Sequence, residues 1–290
     1  MDPDRWGRRC RWCDGRRHRD PSPASAGRGV LRRQKAAVFV KTHRGTSPAG
    51  YAYEAAGLRW LAEVEGGCPT PRLHEVGLDR LLLEAILTVP PSARAAAAFG
   101  TGLAHTHASG ADVFGDLPPG CDHGFIAELD LPSGHWHQFG EFYSQARLLP
   151  FADLAFRRGN LVEADLIAIQ RLGDQLADGR VRLCGPAEDP ARLHGDLWSG
   201  NLLWRSRDVV VIDPSAHGGH RESDLAMLAL FGLPFLDVVL EGYQEVWPLS
   251  AGWQERVPLH QLYPLLVHAT LFGGSYGATA GSIAHRLLNY

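Results

Sequence analysis

The chain has 290 residues, 45% of them apolar and 21% charged, a length and balance that suit one two-lobed domain or about two domains and exclude wholesale disorder, collagen and coiled coil. No apolar run reaches the roughly 18 residues that cross a bilayer, and the early arginines precede no apolar stretch, so neither a membrane partner nor a secretory signal is expected. The net charge of −3 hides an asymmetry: residues 1–35 hold ten Arg, Lys35 and four Asp and are +7, leaving the remainder at −10. An acidic body argues against nucleic acid as a partner, because phosphate neutralisation needs clustered Lys and Arg. Five scattered cysteines (Cys10, Cys13, Cys68, Cys121 and Cys184) are an odd set that suits a reducing, cytoplasmic setting.

Residues 1–35, rich in Arg and Pro, show neither helical nor strand periodicity and are expected to be an atypical, disordered segment. Order is expected from the β-rich run Ala36 to Lys41, followed after a Gly/Ser/Pro turn by a helix over Tyr53 to Val64. Leu73 to Val76 and Leu81 to Ile86 then read as two strands around the turn-prone Gly77 to Asp79, closing a small sheet-and-helix lobe over residues 36–89. Residues 90–290 read as a larger, mostly helical lobe. Its helices are expected over Ser92 to His107, with Ser92 as N-cap, over Phe142 to Leu149 and over Asn160 to Ala177. Asp112 to Gly140, long and rich in Gly, Pro and His, is either an active-site loop or poorly ordered.

The strongest chemical signal is the run His194-Gly195-Asp196-Leu197-Trp198-Ser199-Gly200-Asn201, followed by Leu202-Leu203-Trp204 and by Val209-Val210-Val211-Ile212-Asp213. An Asp followed five residues later by Asn, then an apolar strand ending in a second Asp, matches the catalytic loop and metal-binding Asp of kinase-like phosphotransferases. One carboxylate must meet the acceptor hydroxyl while an amide oxygen and another carboxylate hold magnesium, and a tight loop entering a hairpin can aim all three at one point. Asp196 is thus the candidate base, with Asn201 and Asp213 the candidate metal ligands. The bland alternative is a turn and a strand end, since Asp, Gly and Asn are common turn residues. Such an enzyme also needs a strand Lys for the nucleotide phosphates and a helical Glu to position it. Only Lys35 and Lys41 exist, and Lys41 with Glu54 is the obvious pair. The competing view is an exposed strand-end Lys and a Glu favoured by the helix N-terminus.

Further blocks sharpen this. They are Phe39-Val40-Lys41-Thr42, Glu54-Ala55-Ala56-Gly57-Leu58, Gly102-Leu103-Ala104-His105, Gly140-Glu141-Phe142-Tyr143 with Arg147-Leu148-Leu149-Pro150, Gly219-His220-Arg221-Glu222-Ser223-Asp224-Leu225-Ala226-Met227, Val246-Trp247-Pro248-Leu249 and Leu271 to Gly277. With the run His194 to Asn201, they make the sequence resemble the fructosamine kinase family, or ketosamine 3-kinases, a branch of the protein-kinase-like fold close to the aminoglycoside and choline phosphotransferases. The resemblance implies an α+β, two-lobed protein-kinase-like fold with a small β-sheet N-lobe and a larger, mostly helical C-lobe. It implies ATP and Mg2+ as cofactors and phosphorylation of the sugar 3-hydroxyl of ketosamines such as fructosamines and ribulosamines. The acceptors would be small ketoamines or glycated proteins, and the unstable product would release the amine, a deglycation repair. It implies that Asp224 hydrogen-bonds the catalytic loop, although Asp224 could equally N-cap a helix before Leu225. His194, Trp198, Ser199, His220 and Arg221 would support the loop or the substrate. In one respect the chain departs: the family's opening strand, small-residue turn and second strand are not matched by residues 1–35, where Asp14-Gly15-Arg16-Arg17 is only a faint echo. The first hairpin therefore reads as degenerate, with weak ATP binding expected. A catalytically impaired, kinase-shaped binding protein and an aminoglycoside or other small-molecule phosphotransferase are the alternatives.

Other patterns carry less. Cys10-x-x-Cys13 with His18, His135-x-His137 and His217-x-x-His220 lack the second close pair a zinc site needs. Gly100-x-Gly102 lies inside an Ala-rich helical pattern and not after a strand, so it is no dinucleotide fingerprint. Trp247, Tyr263, Phe272 and Tyr276 are expected to be core.

Overall fold

The structure, a computed structural model, describes residues 37–42, 47–179 and 184–289. The expectations placed on residues 1–35, including the Cys10, Cys13 and His18 cluster, lie outside the described residues. Three antiparallel strands, β1 (Val38–Lys41), β2 (Leu73–Val76) and β3 (Leu81–Glu84), form a sheet in the order β1-β3-β2. Lys41 stands opposite Leu81 in that register. Leu81 and Leu83, on one face of β3, pack with Tyr51, Ala55 and Leu58 of helix α1 (Pro48–Ala62), the period-2 strand meeting the apolar stripe of a helix.

Helix α1 begins earlier than the sequence suggested. The Ser47 side chain accepts the Gly50 N–H at 3.1 Å and Pro48 occupies the first turn, where its missing N–H costs nothing. The Ser-Pro pair read as a turn is therefore a helix start. Glu54 consequently lies within the helix and not at its N-terminus.

A connection follows in which the Val89 N–H donates to the Trp204 carbonyl at 2.9 Å. Helix α2 (Ala93–Ala108) starts at the expected cap, with the Ser92 hydroxyl accepting from Ala95, and Gly100 and Gly102 lie within it. Asp112 to Gly140 is ordered: it contains the hairpin β4 (Gly124–Ile126) and β5 (Leu129–Leu131), and Phe114 bridges Trp136 and stacks on Phe142 at 5.7 Å. Helix α3 (Phe139–Phe142) runs through a π-helical turn (Tyr143–Leu148) into α4 (Leu149–Arg157), and α5 (Glu163–Ala177) follows. Two short antiparallel pairs come next, β6 (Ala191–Leu193) with β9 (His217–Gly219) and β7 (Leu202–Trp204) with β8 (Val209–Val211). Helices α6 (Arg221–Leu230), α7 (Leu236–Val246), α8 (Trp253–Phe272) and α9 (Tyr276–Leu288) complete the chain.

Two apolar clusters hold the helical part together: one joins α3–α5 to α8 and α9, the other joins α2 and α7 to the β7–β8 hairpin. Small sheet and helical body together make the two-lobed kinase-like α+β architecture. Among the described residues no helix is long and apolar enough to cross a membrane.

Candidate active site

The run His194–Asn201 spans the gap between β6 and β7, and Asp213 follows β8, so the two short strand pairs bring loop and carboxylate together. Gly195 has φ of +81°, and a Cβ there would fall 2.1 Å from the Ser215 carbonyl oxygen, so no other residue fits without moving backbone. Asp224, inside α6, accepts the backbone N–H of His194 at 2.7 Å on Oδ2 and of Gly195 at 3.0 Å on Oδ1. Burial alone would raise its pKa, but His107 Nε2 at 3.2 Å and these loop amides hold it below the ordinary value. The N-cap of α6 is His220, whose side chain accepts the Glu222 N–H, and not Asp224. His194 is kept neutral chiefly by burial; it donates from Nε2 to the Ile212 carbonyl at 2.9 Å and accepts the Asp196 N–H on Nδ1 at 3.3 Å.

Within this frame the Asn201 amide nitrogen donates to the Asp196 carbonyl at 2.8 Å and to Asp196 Oδ2 at 3.0 Å, which leaves its amide oxygen for another partner. Burial, assisted by Asp213 and Asp224, raises the Asp196 pKa to about 7 against the pull of Asn201 and Lys41. Among the described residues Asp213 is one of three non-glycine residues with positive φ, at 57°, a conformation that Asp tolerates better than bulkier side chains. Its Oδ1 lies 2.9 Å from Lys41 Nζ, and Lys41 Nζ lies 2.6 Å from Glu54 Oε2. Burial opposes the Lys41 charge, but the two carboxylates outweigh it and hold the ammonium above its ordinary pKa.

Contact between α1 and the Asp213 loop is direct. A Cβ on Gly57 would lie 3.2 Å from the Ala216 Cβ and 3.3 Å from Pro214 Cγ, and the Tyr53 hydroxyl donates to the Ala216 carbonyl at 2.8 Å. At the other end of α1 the Arg192 guanidinium donates to the Trp60 carbonyl at 2.7 Å. Lys41, Glu54, Asp196, Asn201 and Asp213 thus meet at one point. The oxygens of Asn201 and Asp213 are hard donors of the kind that suit magnesium.

Beside Asp196 opens a cavity that encloses about 520 Å³ when its solvent-filled mouth is counted. Ile126 of the β4–β5 hairpin, Phe142, Tyr143 and Arg147 around the π-helical turn, and Tyr263 of α8 help to line it. The Asp112–Gly140 segment thus contributes a wall to the site.

The remaining candidates lie around this centre. Trp198 folds over Gly200 and meets Phe231 edge-on at 6.2 Å, and Ser199 starts the single 3-10 turn that ends at Asn201. Arg221 is gripped by Glu188, with Nε–Oε2 at 2.6 Å and Nη2–Oε1 at 2.8 Å, and stacks on Trp247 at 4.1 Å. His217 Nδ1 bonds the Ser215 carbonyl, so it joins no cluster with His220. Among the described residues His220, Glu222 and His260 do converge, yet Arg256 already holds Glu222 through two hydrogen bonds of 2.9 and 2.5 Å. Phe272 is 47% exposed and is not core, whereas Tyr263 is buried but turns to the cavity. Sequence reasoning gave no role to Arg147, His107, Glu222 or His260. Their partners are far away in sequence, and only the blocks that contain Arg147 and Glu222 hinted at any of them.

This arrangement defines a kinase-like phosphotransferase fold, and the comparisons agree. The structure superposes on that of a choline/ethanolamine kinase family protein from Mesorhizobium loti with a TM-score of 0.55 at 14% identity, over 87% of this chain and 82% of that one, which speaks for the fold alone. The model of the fructosamine kinase family matches residues 24–290, and the chain belongs to that family. A "Probable ketoamine kinase" of Lactiplantibacillus plantarum is 34% identical over 84% of each chain. A crystal structure named as that of a "putative fructosamine-3-kinase" from Thermobifida fusca shares 42% identity and a TM-score of 0.78, over 87% of this chain and 86% of that one.

Proposed function

We propose that the protein is an ATP-dependent ketosamine kinase that phosphorylates the sugar 3-hydroxyl of a ketoamine and so starts its breakdown to the free amine. The observation that carries the reading is the meeting of Lys41, Glu54, Asp196, Asn201 and Asp213, with Asp196 also lining the adjoining cavity. The ketoamine kinase relative at 34% identity supports the choice of acceptor. Asp196, with its pKa raised to about 7, takes the proton of the acceptor hydroxyl as the phosphoryl group arrives. Lys41, steadied by Glu54, meets the nucleotide phosphates. Asn201 through its amide oxygen and Asp213 through its carboxylate would hold magnesium, which supplies charge neutralisation on the transferred group. His194, Gly195 and Asp224 keep the loop in shape. Free thiols at Cys68, Cys121 and Cys184 fit the reducing cytoplasm as its compartment.

Purified protein should consume ATP with magnesium only when a ketoamine, such as ribosylated or glucosylated lysine, is supplied, read as ADP formed and amine released. Turnover of an aminoglycoside without turnover of any ketoamine would overturn the assignment.

A further inference from the structure

Arg147 is 1% exposed, yet among the described residues it pairs with no carboxylate. One nitrogen, Nη1, donates to the Pro132 carbonyl at 2.8 Å and to the Ala146 carbonyl at 3.0 Å. Its Nε and Nη2, the adjacent donors that form a bidentate fork, have no partner. The Tyr263 hydroxyl, also without a partner, lines the same cavity. The guanidinium lies 4.6 Å from the Phe142 ring centre and 5.4 Å from that of Tyr263, so aromatic walls support it without neutralising it. Burial pulls its pKa below the ordinary arginine value, opposed only by Tyr263, Tyr53 and Tyr143. A buried cation without a counter-ion is costly and is kept where a ligand supplies the anion. Its backbone setting agrees: Arg147 sits in the π-helical turn, a departure from α-geometry frequent at functional sites.

Resting on the ketosamine kinase reading, we propose that Arg147 receives the carboxylate of the acceptor, so that the preferred substrates are ketoamines of free α-amino acids linked through the α-nitrogen. In such a compound the carboxylate is borne on the carbon next to the ketoamine nitrogen. A small acceptor therefore presents its sugar hydroxyl to Asp196 and its carboxylate to Arg147 inside one cavity. The fork matches the planar carboxylate, and the low-dielectric surroundings strengthen the pair. A ketoamine on a protein lysine carries no carboxylate near its nitrogen and leaves the fork unused. Arg147 acts here in substrate recognition, with no part in the proton transfer.

The test compares, on the wild-type enzyme, the Nα-linked ketoamines of glycine and of glycinamide, which differ in charge and hardly in size. A charge-assisted pair predicts that kcat/KM for the glycine compound exceeds that for the amide by at least about tenfold, mostly through KM. In Arg147→Met and Arg147→Lys the preference should collapse, with melting curves showing whether each variant folds. The wild-type comparison decides even if neither does. Equal kcat/KM for the two compounds, or equal losses on both in a folded variant, would overturn the proposal while leaving the kinase reading intact. Preference for a ketoamine carrying a phosphate on its sugar, at equal rates for acid and amide, would place the anion on the sugar and overturn it too. No turnover of any ketoamine would bring down both.

Discussion

The two halves of the site are charged in opposite senses. At the corner proposed to face the phosphates, Glu54, Asp196 and Asp213 crowd around the Lys41 ammonium. In the acceptor cavity a cation, Arg147, stands among aromatic rings with no carboxylate of its own. The corner has an excess of anionic oxygen, which suits a divalent cation and its phosphates, whereas elsewhere in the cavity the Arg147 nitrogens meet no carboxylate among the described residues, which suits an oxyanion. Two other arginines among the described residues are paired within the protein: Arg221 is matched to Glu188 and Arg256 to Glu222. Incomplete pairing of buried charge therefore marks the places where ligands complete the structure, whereas complete pairing marks scaffold.

The largest effect should come from the corner. Asp213→Asn is expected to abolish magnesium-dependent turnover with the fold intact, because an amide holds the ion far less well than a carboxylate. Asp196→Asn should lower kcat by about 10²- to 10⁴-fold while sparing nucleotide binding, measured by steady-state kinetics and titration calorimetry. Near-full turnover of Asp196→Asn would show that Asp196 is not the base.

A closed pair should report on stability and not on turnover. Burial would raise the Glu222 pKa, but nearby His260 and the two hydrogen bonds from Arg256 hold it at about 2, below the ordinary 4.5. A depressed carboxylate contributes stability that is complete above about pH 4.5 and is lost as pH falls towards 2, on the order of 3 kcal/mol for this shift. Buried His217 and His220, both held to about 3 chiefly by burial, add acid sensitivity that begins below their unfolded value of 6.5. Thermal melts of wild type and Glu222→Gln from pH 7 to pH 3 should converge as pH falls; a constant gap would sink the linkage.

Smaller effects follow. Gly195→Ala should cost about 1–3 kcal/mol of backbone strain, with activity falling more than stability because the strain lands in the catalytic loop. The exposed pair Arg157–Asp153 has water on all sides and no ligand to meet, so Asp153→Ala should change stability by less than about 0.5 kcal/mol in denaturant titrations.

The convergence of the candidate catalytic residues was legible because it is local. Asp196, Asn201 and Asp213 lie within one loop-hairpin-loop unit, which brings them together by short-range pairing. Lys41 and Glu54 were legible once that unit was recognised, though α1 starts at Pro48 and places Glu54 inside the helix. The acceptor cavity was not legible. Its walls come from β4, the π-helical turn, the catalytic loop, α6 and α8, and no periodicity links them. Tyr263 carried the signal of a core residue, and being buried it obeyed that signal, but composition does not tell a buried hydroxyl with a partner from one without.

Residue types and spacings alone thus carry the two-lobed fold class, the family resemblance and the candidate reacting carboxylates, because hydrogen-bonded loops and strand pairs are short-range structures with strict residue preferences. Tertiary packing alone decided which buried charges are paired. That Asp224 grips the loop amides could be read from a family position, but that Arg256 closes on Glu222 while Arg147 closes on nothing depends on which distant helices meet, and burial energetics act on the assembled neighbourhood rather than on the chain.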